Sequence, residues 1–215
     1  IVTELKHVFE EVGIETLTAM DSVRNPYDRC EVDVNFTDYK KLWFGGVRPL
    51  SLQKWLQERQ HIEYRTWRKA INTCDVFIFI WTTFKNDWSD LQQLKKLGKK
   101  VIILFCGSDI RWYDACNQEF DQYQFARLDY GSEYDYEISG LKRRLTRLRT
   151  AEKFADFVFS RLDQSQLSLR PYYRYHMWVD SNRISPKKIQ RKERPLIVHA
   201  PSNRKVKGTQ KILET

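Results

Sequence analysis

The chain has 215 residues, a formal net charge of +9, and 41% hydrophobic and 14% aromatic residues. That apolar content supports a packed core and excludes a wholly disordered chain, and the length holds one large domain or one domain and part of another. No apolar run approaches the roughly 18 residues of a membrane span, because the longest, residues 76–81 and 101–106, are strand-sized.

Residues 2–12 read as an amphipathic helix with Val2, Leu5, Val8 or Phe9 and Val12 on one face, stopped by Gly13. Residues 14–20 and 31–36 read as strands, the second alternating Val32, Val34 and Phe36 with Glu31, Asp33 and Asn35; a turn at Asn25-Pro26-Tyr27-Asp28 lies between them. A loop at Gly45-Gly46 and Pro49 leads to a helix capped by Ser51 and running to about Asn72. Residues 75–81 are a continuous apolar strand, 91–97 a short helix closed by Gly98, and 100–105 a second apolar strand. Strands apolar on both faces and separated by helices predict a parallel sheet covered on both sides, a Rossmann-like α/β fold. A long helix is expected from about Tyr136 to Leu162, although Phe157-Val158-Phe159 near its end also fits a short strand.

Near the end of the chain, Leu196 to Val198 read as a short buried strand, broken by Pro201, Ser202 and Asn203; Lys207-Gly208-Thr209 then leads into a helix over 210–214. A strand, a polar loop and a helix in that order present backbone N–H groups and fixed cations to a phosphate. The second motif is Cys106-Gly107-Ser108-Asp109-Ile110-Arg111, directly after the strand ending at Phe105. In a doubly wound sheet, ligands bind beyond the carboxyl ends of the strands, so this loop faces a cleft. Gly107 lets backbone approach a ligand, Ser108 and Asp109 can cap the following turn, and Arg111 offers a bidentate cation.

Together, His199-Ala200-Pro201-Ser202-Asn203-Arg204…Lys207-Gly208-Thr209 and Gly107-Ser108-Asp109-Ile110-Arg111 resemble two elements of the group 1 glycosyltransferases of the GT-B fold. Ala151 to Ser160, Leu169-Arg170-Pro171-Tyr172-Tyr173 and Val179-Asp180 resemble the stretches between them more weakly. The resemblance is good from about residue 75 onward and vague before it. It implies an acceptor-side Rossmann-like domain over 1–185, a basic linker over 186–194, and the first strand and loop of a donor-binding domain over 195–215. It also implies transfer of a hexose-like sugar from a nucleotide-diphosphate sugar to a glycan or lipid-linked acceptor. Arg204 and Lys207 would meet the donor diphosphate in place of a metal ion, with Ser202, Asn203 and Gly208 shaping the loop; no cofactor beyond the donor substrate is implied. Many relatives carry His before the Gly of the Gly-Ser-Asp loop, whereas this chain has Cys106, so no catalytic base is assigned there. A start on a helix, and an end where the donor pocket would begin, predict a piece of a longer enzyme, inactive alone; a mature protein with its leader removed is the alternative.

Several residue types carry blander expectations. Cys30, Cys74, Cys106 and Cys116 show no paired spacing and read as reduced, buried thiols of a cytoplasmic protein. His199 reads as a satisfied, near-buried side chain and His176 as one packed on aromatics. Lys142, Arg143, Arg144, Arg147, Arg149 and Lys153 load one helix; Arg183, Lys187, Lys188, Arg191, Lys192 and Arg194 load the segment before the last strand. Such charge fits a solvated face, peripheral contact with an anionic membrane, or a basic module binding nucleic acid or another polyanion. No RNA-recognition signature or zinc-finger spacing accompanies it, so no specific nucleic-acid partner is expected.

Overall fold

A computed structural model describes residues 1–21, 32–36, 50–107, 109–112, 118, 138–161, 164–176, 198–201, 204, 208 and 209–214. The chain forms two compact units, one of residues 1–76 with 176–183 and the other of 77–175 with 184–215. The first unit opens on α1 (Val2–Glu11). Gly13, at φ +78, ends it by donating to Glu10 O at 3.0 Å, while Ile14 N–H reaches Phe9 O at 2.8 Å. This left-handed stop is the conformation glycine adopts most cheaply. Strands β1 (Ala19–Met20) and β2 (Val34–Asn35) pair in parallel, Ala19 opposite Val34. Both are shorter than the alternating runs that predict them. Asp33, just before β2, accepts from Thr18 N–H at 2.7 Å, Thr18 Oγ1 at 2.7 Å and Lys6 Nζ at 2.8 Å, which ties β1, β2 and α1 together. Helix α2 (Leu50–Thr73) begins one residue before Ser51, which therefore lies inside the helix and not at its cap.

The second unit is built on a parallel sheet of β3 (Val76–Ile80), β4 (Lys100–Leu104), β5 (Phe157–Ser160) and β6 (Tyr173–Arg174), in that spatial order. Helix α3 (Ser89–Lys96) packs on β4, and α4 (Ile138–Phe154) packs on α3. The core gathers where they meet: Leu91, Leu94, Val101, Ile103, Phe105, Leu148 and Val158 are all buried. Each such aliphatic side chain contributes about 1.5–3 kcal/mol on leaving water. Trp88 stacks on Phe105 with ring centroids 6.1 Å apart.

The run Phe157-Val158-Phe159 is strand β5, and the helix expected to reach Leu162 stops at Phe154. Arg170 accounts for the stop: its guanidinium donates to Glu152 O at 2.6 Å, Ala155 O at 3.1 Å and Asp156 O at 3.1 Å. Glu152 O is one of the carbonyls that a helix end leaves without an intrahelical partner, Ala155 O and Asp156 O lie just past that end, and a cation there also suits the helix dipole. Asp156 then leads into β5. Its carboxylate takes Val101 N–H at 2.9 Å and Lys95 Nζ at 2.9 Å, and its own N–H donates to Val101 O at 2.8 Å. Burial works to raise the Asp156 pKa, but these hydrogen bonds outweigh it and hold the carboxyl below its usual range.

Helix α5 (Thr209–Leu213) covers most of the last expected helix. Residues 198–201 lack regular structure, and 196 and 197 lie outside the described residues, as do the expected turn at 25–28, the loop at 45–49 and the linker at 186–194.

Candidate cleft loop at the carboxyl edge of the sheet

Because the strands are parallel, their carboxyl ends share one edge. Trp81 follows β3, the Cys106–Arg111 loop follows β4, Gln164 lies four residues past β5, and Tyr175 follows β6. The register fixes this edge: Leu104 opposes Phe159, Ser160 opposes Arg174, and Trp81 N–H donates to Leu104 O at 3.0 Å. The expected cleft loop therefore stands where doubly wound folds bind ligands.

Asp109 organises the loop. It is 4% exposed, and its carboxylate accepts Gly107 N–H at 2.7 Å and Cys106 N–H at 3.0 Å. Ile110 N–H at 3.1 Å and Arg111 N–H at 2.9 Å both donate to Gly107 O, closing a tight turn. Burial pushes the Asp109 carboxyl up despite these hydrogen bonds. Gly107 is at φ +148, a region that residues with a Cβ rarely enter. A Cβ placed there would meet Gln164 Nε2 at 3.2 Å and Arg111 Nη2 at 3.5 Å. The loop thus brings Gly107, Asp109 and Arg111 together; Ser108 lies outside the described residues.

The remaining neighbours are Gln164 and Tyr175, which sequence reasoning does not single out, and Cys106, which it does. Gln164 is 3% exposed, and its Oε1 is buried without a hydrogen-bond partner. A buried, unpartnered polar atom costs about 1–3 kcal/mol. Cys106 is half-buried and hydrogen-bonded to the buried Tyr175. Burial, chiefly, pushes the Cys106 thiol up, and burial with the thiol beside it pushes the Tyr175 phenol up. A thiol pushed up in this way stays protonated at neutral pH and is a poor proton acceptor. The signal for these neighbours is positional: each sits at or just beyond the carboxyl end of a strand, and boundaries blurred by one or two residues hide that.

At the other predicted site, Gly208 is at φ +66 and stands at the N-cap of α5, and Thr209 N–H donates to Arg204 O at 3.0 Å. Arg204 is exposed, whereas Ser202, Asn203 and Lys207 lie outside the described residues. His199 is satisfied, with Nε2 2.8 Å from Thr209 Oγ1, but it is exposed and not near-buried: the apolar run beside it is not packed at Val198, which is 76% exposed. His176 is exposed as well.

Cys74 and Cys106 are free thiols, half-buried and not fully buried; Cys30 and Cys116 lie outside the described residues. Among the described residues, no group of three His, Cys, Asp or Glu side chains could hold a metal ion, and no helix is long and apolar enough to cross a membrane.

The basic helix is only partly a solvated face. Arg144 is buried, Arg147 is half-buried, and Arg149 pairs with Glu152 while donating to Leu167 O at 2.7 Å. Lys142, Arg143 and Lys153 are exposed. An open groove of about 650 Å³ runs along α4 between Leu141, Leu145 and Phe154, with Lys142 and Lys153 among its lining. The second basic cluster, residues 183–194, lies outside the described residues.

No protein-family model matches the chain, and neither curated proteins nor solved structures give a match. The parallel α/β sheet is thus established on its own geometry, compatible with a Rossmann-like fold.

Proposed function

We propose that this chain belongs to a glycosyltransferase that moves a hexose-like sugar from a nucleotide-diphosphate sugar to a glycan or lipid-linked acceptor. The observation that carries the reading is the Gly107–Arg111 turn at the carboxyl edge of a parallel sheet, where its motif requires a cleft. The Arg204…Lys207-Gly208 motif supports it from sequence, together with the left-handed Gly208 and the exposed Arg204 ahead of α5. In this mechanism Arg204 and Lys207 neutralise the diphosphate as the sugar–phosphate bond breaks. Well-placed donors of this kind are worth about 3–4 kcal/mol each to the transition state. Arg111 and the Gly107 backbone face the acceptor side, and no residue is assigned as base.

The test is titration of the gene's whole product with uridine, guanosine and adenosine diphosphates. One of them should bind, and Arg204→Ala with Lys207→Ala should weaken that binding about 100-fold, as expected when charge-assisted hydrogen bonds to phosphate are lost. Unchanged affinity in the double variant contradicts the mechanism.

The groove on α4 favours a peripheral membrane contact as part of the same reading, because apolar Leu141, Leu145 and Phe154 lie beside Lys142 and Lys153. Near an anionic surface each such cation contributes about 1 kcal/mol. Sedimentation with vesicles should show binding only when anionic lipid is present, and equal binding to neutral vesicles refutes the electrostatic contact. A polyanion-binding module is the less favoured reading, since Arg149 is engaged inside the fold and Arg144 is buried.

A further inference from the structure

Among the described residues two other than glycine stand at positive φ, the buried Trp88 at φ 62 and, just past the sheet, Trp81. It follows β3 at φ 72, a left-handed angle that a bulky side chain adopts only under strain. The apolar run ends here, and Thr82 N–H closes a turn about Trp81 by donating to Ile80 O at 2.9 Å. The backbone turns at the carboxyl edge and leaves an indole 50% exposed there. Strain of this type persists where the surroundings over-determine it, and it concentrates at ligand clamps. The strand order places Trp81 on the β3 side of the β4 loop and Gln164 on its β5 side.

Gln164 supplies the second, independent observation. Its carboxamide lies against Gly107, near enough that a Cβ at 107 would stand 3.2 Å from Nε2. Its carbonyl oxygen is buried and receives no hydrogen bond, in a loop where Asp109 already satisfies the Cys106 and Gly107 amides. A buried acceptor without a donor, packed against a buried glycine that puts no side chain between them, is a demand that a ligand hydroxyl would meet.

We propose that Trp81 and Gln164 form a sugar-reading pair on the two sides of the Gly107 loop, Trp81 stacking on the ring of an acceptor sugar and Gln164 accepting one of its hydroxyls. Neither side chain is charged, so the pair selects a neutral, hydroxyl-bearing ring and not a phosphate. Sites of this kind combine an aromatic surface with a few placed polar groups. The inference deepens the transferase reading and rests on it.

The test mixes the 215-residue chain with the methyl glycosides of glucose, galactose, mannose and N-acetylglucosamine, reading contact by saturation-transfer NMR. At least one glycoside should take up saturation on its ring protons. Trp81→Phe should keep that signal and Trp81→Gly should lose it. Gln164→Leu should weaken binding about tenfold or more, since a site built for a hydroxyl loses its partner. Glycine adopts φ 72 freely, so Trp81→Gly should melt no lower than the native chain, which separates loss of the platform from loss of the fold. Should that variant not fold, Gln164→Leu decides the outcome. No saturation of any of the four glycosides, or equal saturation in a folded Trp81→Gly and in Gln164→Leu, overturns the proposal. Diphosphate binding that depends on Arg204 and Lys207, found without glycoside binding, sinks this inference alone; glycoside binding without diphosphate binding sinks the transferase reading alone.

Discussion

Gly107 and Gly98 both occupy backbone regions that favour glycine, at φ +148 and +71, but their surroundings differ. Nothing stands within 4 Å of a Cβ at Gly98, whereas at Gly107 the carboxamide of Gln164 and the guanidinium of Arg111 do. Gly98→Ala should therefore cost only the backbone term, about 1 kcal/mol. Gly107→Ala should cost more, about 2–3 kcal/mol, because strain at a rarely populated angle adds to displacement of Gln164. Urea unfolding of the two variants checks the order, and equal costs would show that the loop is looser than its hydrogen bonds indicate. The loop residues Gly107, Asp109 and Arg111 were legible from their order after an apolar strand. Gln164 and Trp81 were not. One was a polar residue among others past a misjudged helix end, and the other looked like the last residue of a strand, because a left-handed angle leaves no mark in composition.

The elements show the same division between local and distant causes. Residues 2–12 and 91–98 carry their own period and a glycine stop, and both helices appear within a residue or two of expectation. The boundary between α4 and β5 depends on Arg170, more than ten residues further along the chain, so periodicity alone carries the helix past it. Glu152 strengthens the junction by accepting Leu169 N–H at 2.6 Å while pairing with Arg149. Arg170→Ala leaves three carbonyls without these bonds and should destabilise the chain by about 2–3 kcal/mol, since hydrogen bonds to charged groups are the stronger kind. Arg170→Lys should recover only part, because a single ammonium lacks the planar fork. Equal stability of Arg170→Ala and the native chain, measured by thermal unfolding, would place the stop elsewhere. Within the weakly resembling stretch 169–173, Tyr173 opens the last strand of the sheet.

Across the whole molecule, buried and surface carboxyls pull the acid response in opposite directions. Burial tends to raise Asp33, but Lys6 and Thr18 outweigh it and hold the carboxyl at about 2, below its ordinary 3.8. Between those values the unfolded chain binds more protons than the folded one at this site, so the stability that Asp33 contributes is complete above pH 3.8 and is lost as pH falls towards 2. Asp156 acts in the same direction. Asp90 and Asp109 are raised by burial, so the folded state holds their protons longer and their contribution declines as pH rises above 3.8. Asp33→Asn should flatten the fall in stability between pH 3.8 and 2, followed by urea titration at each pH; an unchanged slope would mean that Asp33 is not held low.

At this scale the parallel sheet was legible because two continuous apolar runs, 75–81 and 100–105, were separated by a helix. The cover on each face was less so: Val76 is 50% exposed and β3 lies at the sheet edge. The proposed transferase reading rests on the two loops acting on one reaction. The most direct test is sugar transfer by the gene's whole product, offered a panel of nucleotide-diphosphate sugars with a mixed glycan and lipid-linked acceptor preparation. The proposed mechanism predicts transfer from at least one donor, with kcat/KM lowered about 10,000-fold or more in the Arg204→Ala, Lys207→Ala double variant. No transfer from any donor, or transfer indifferent to both substitutions, would contradict it.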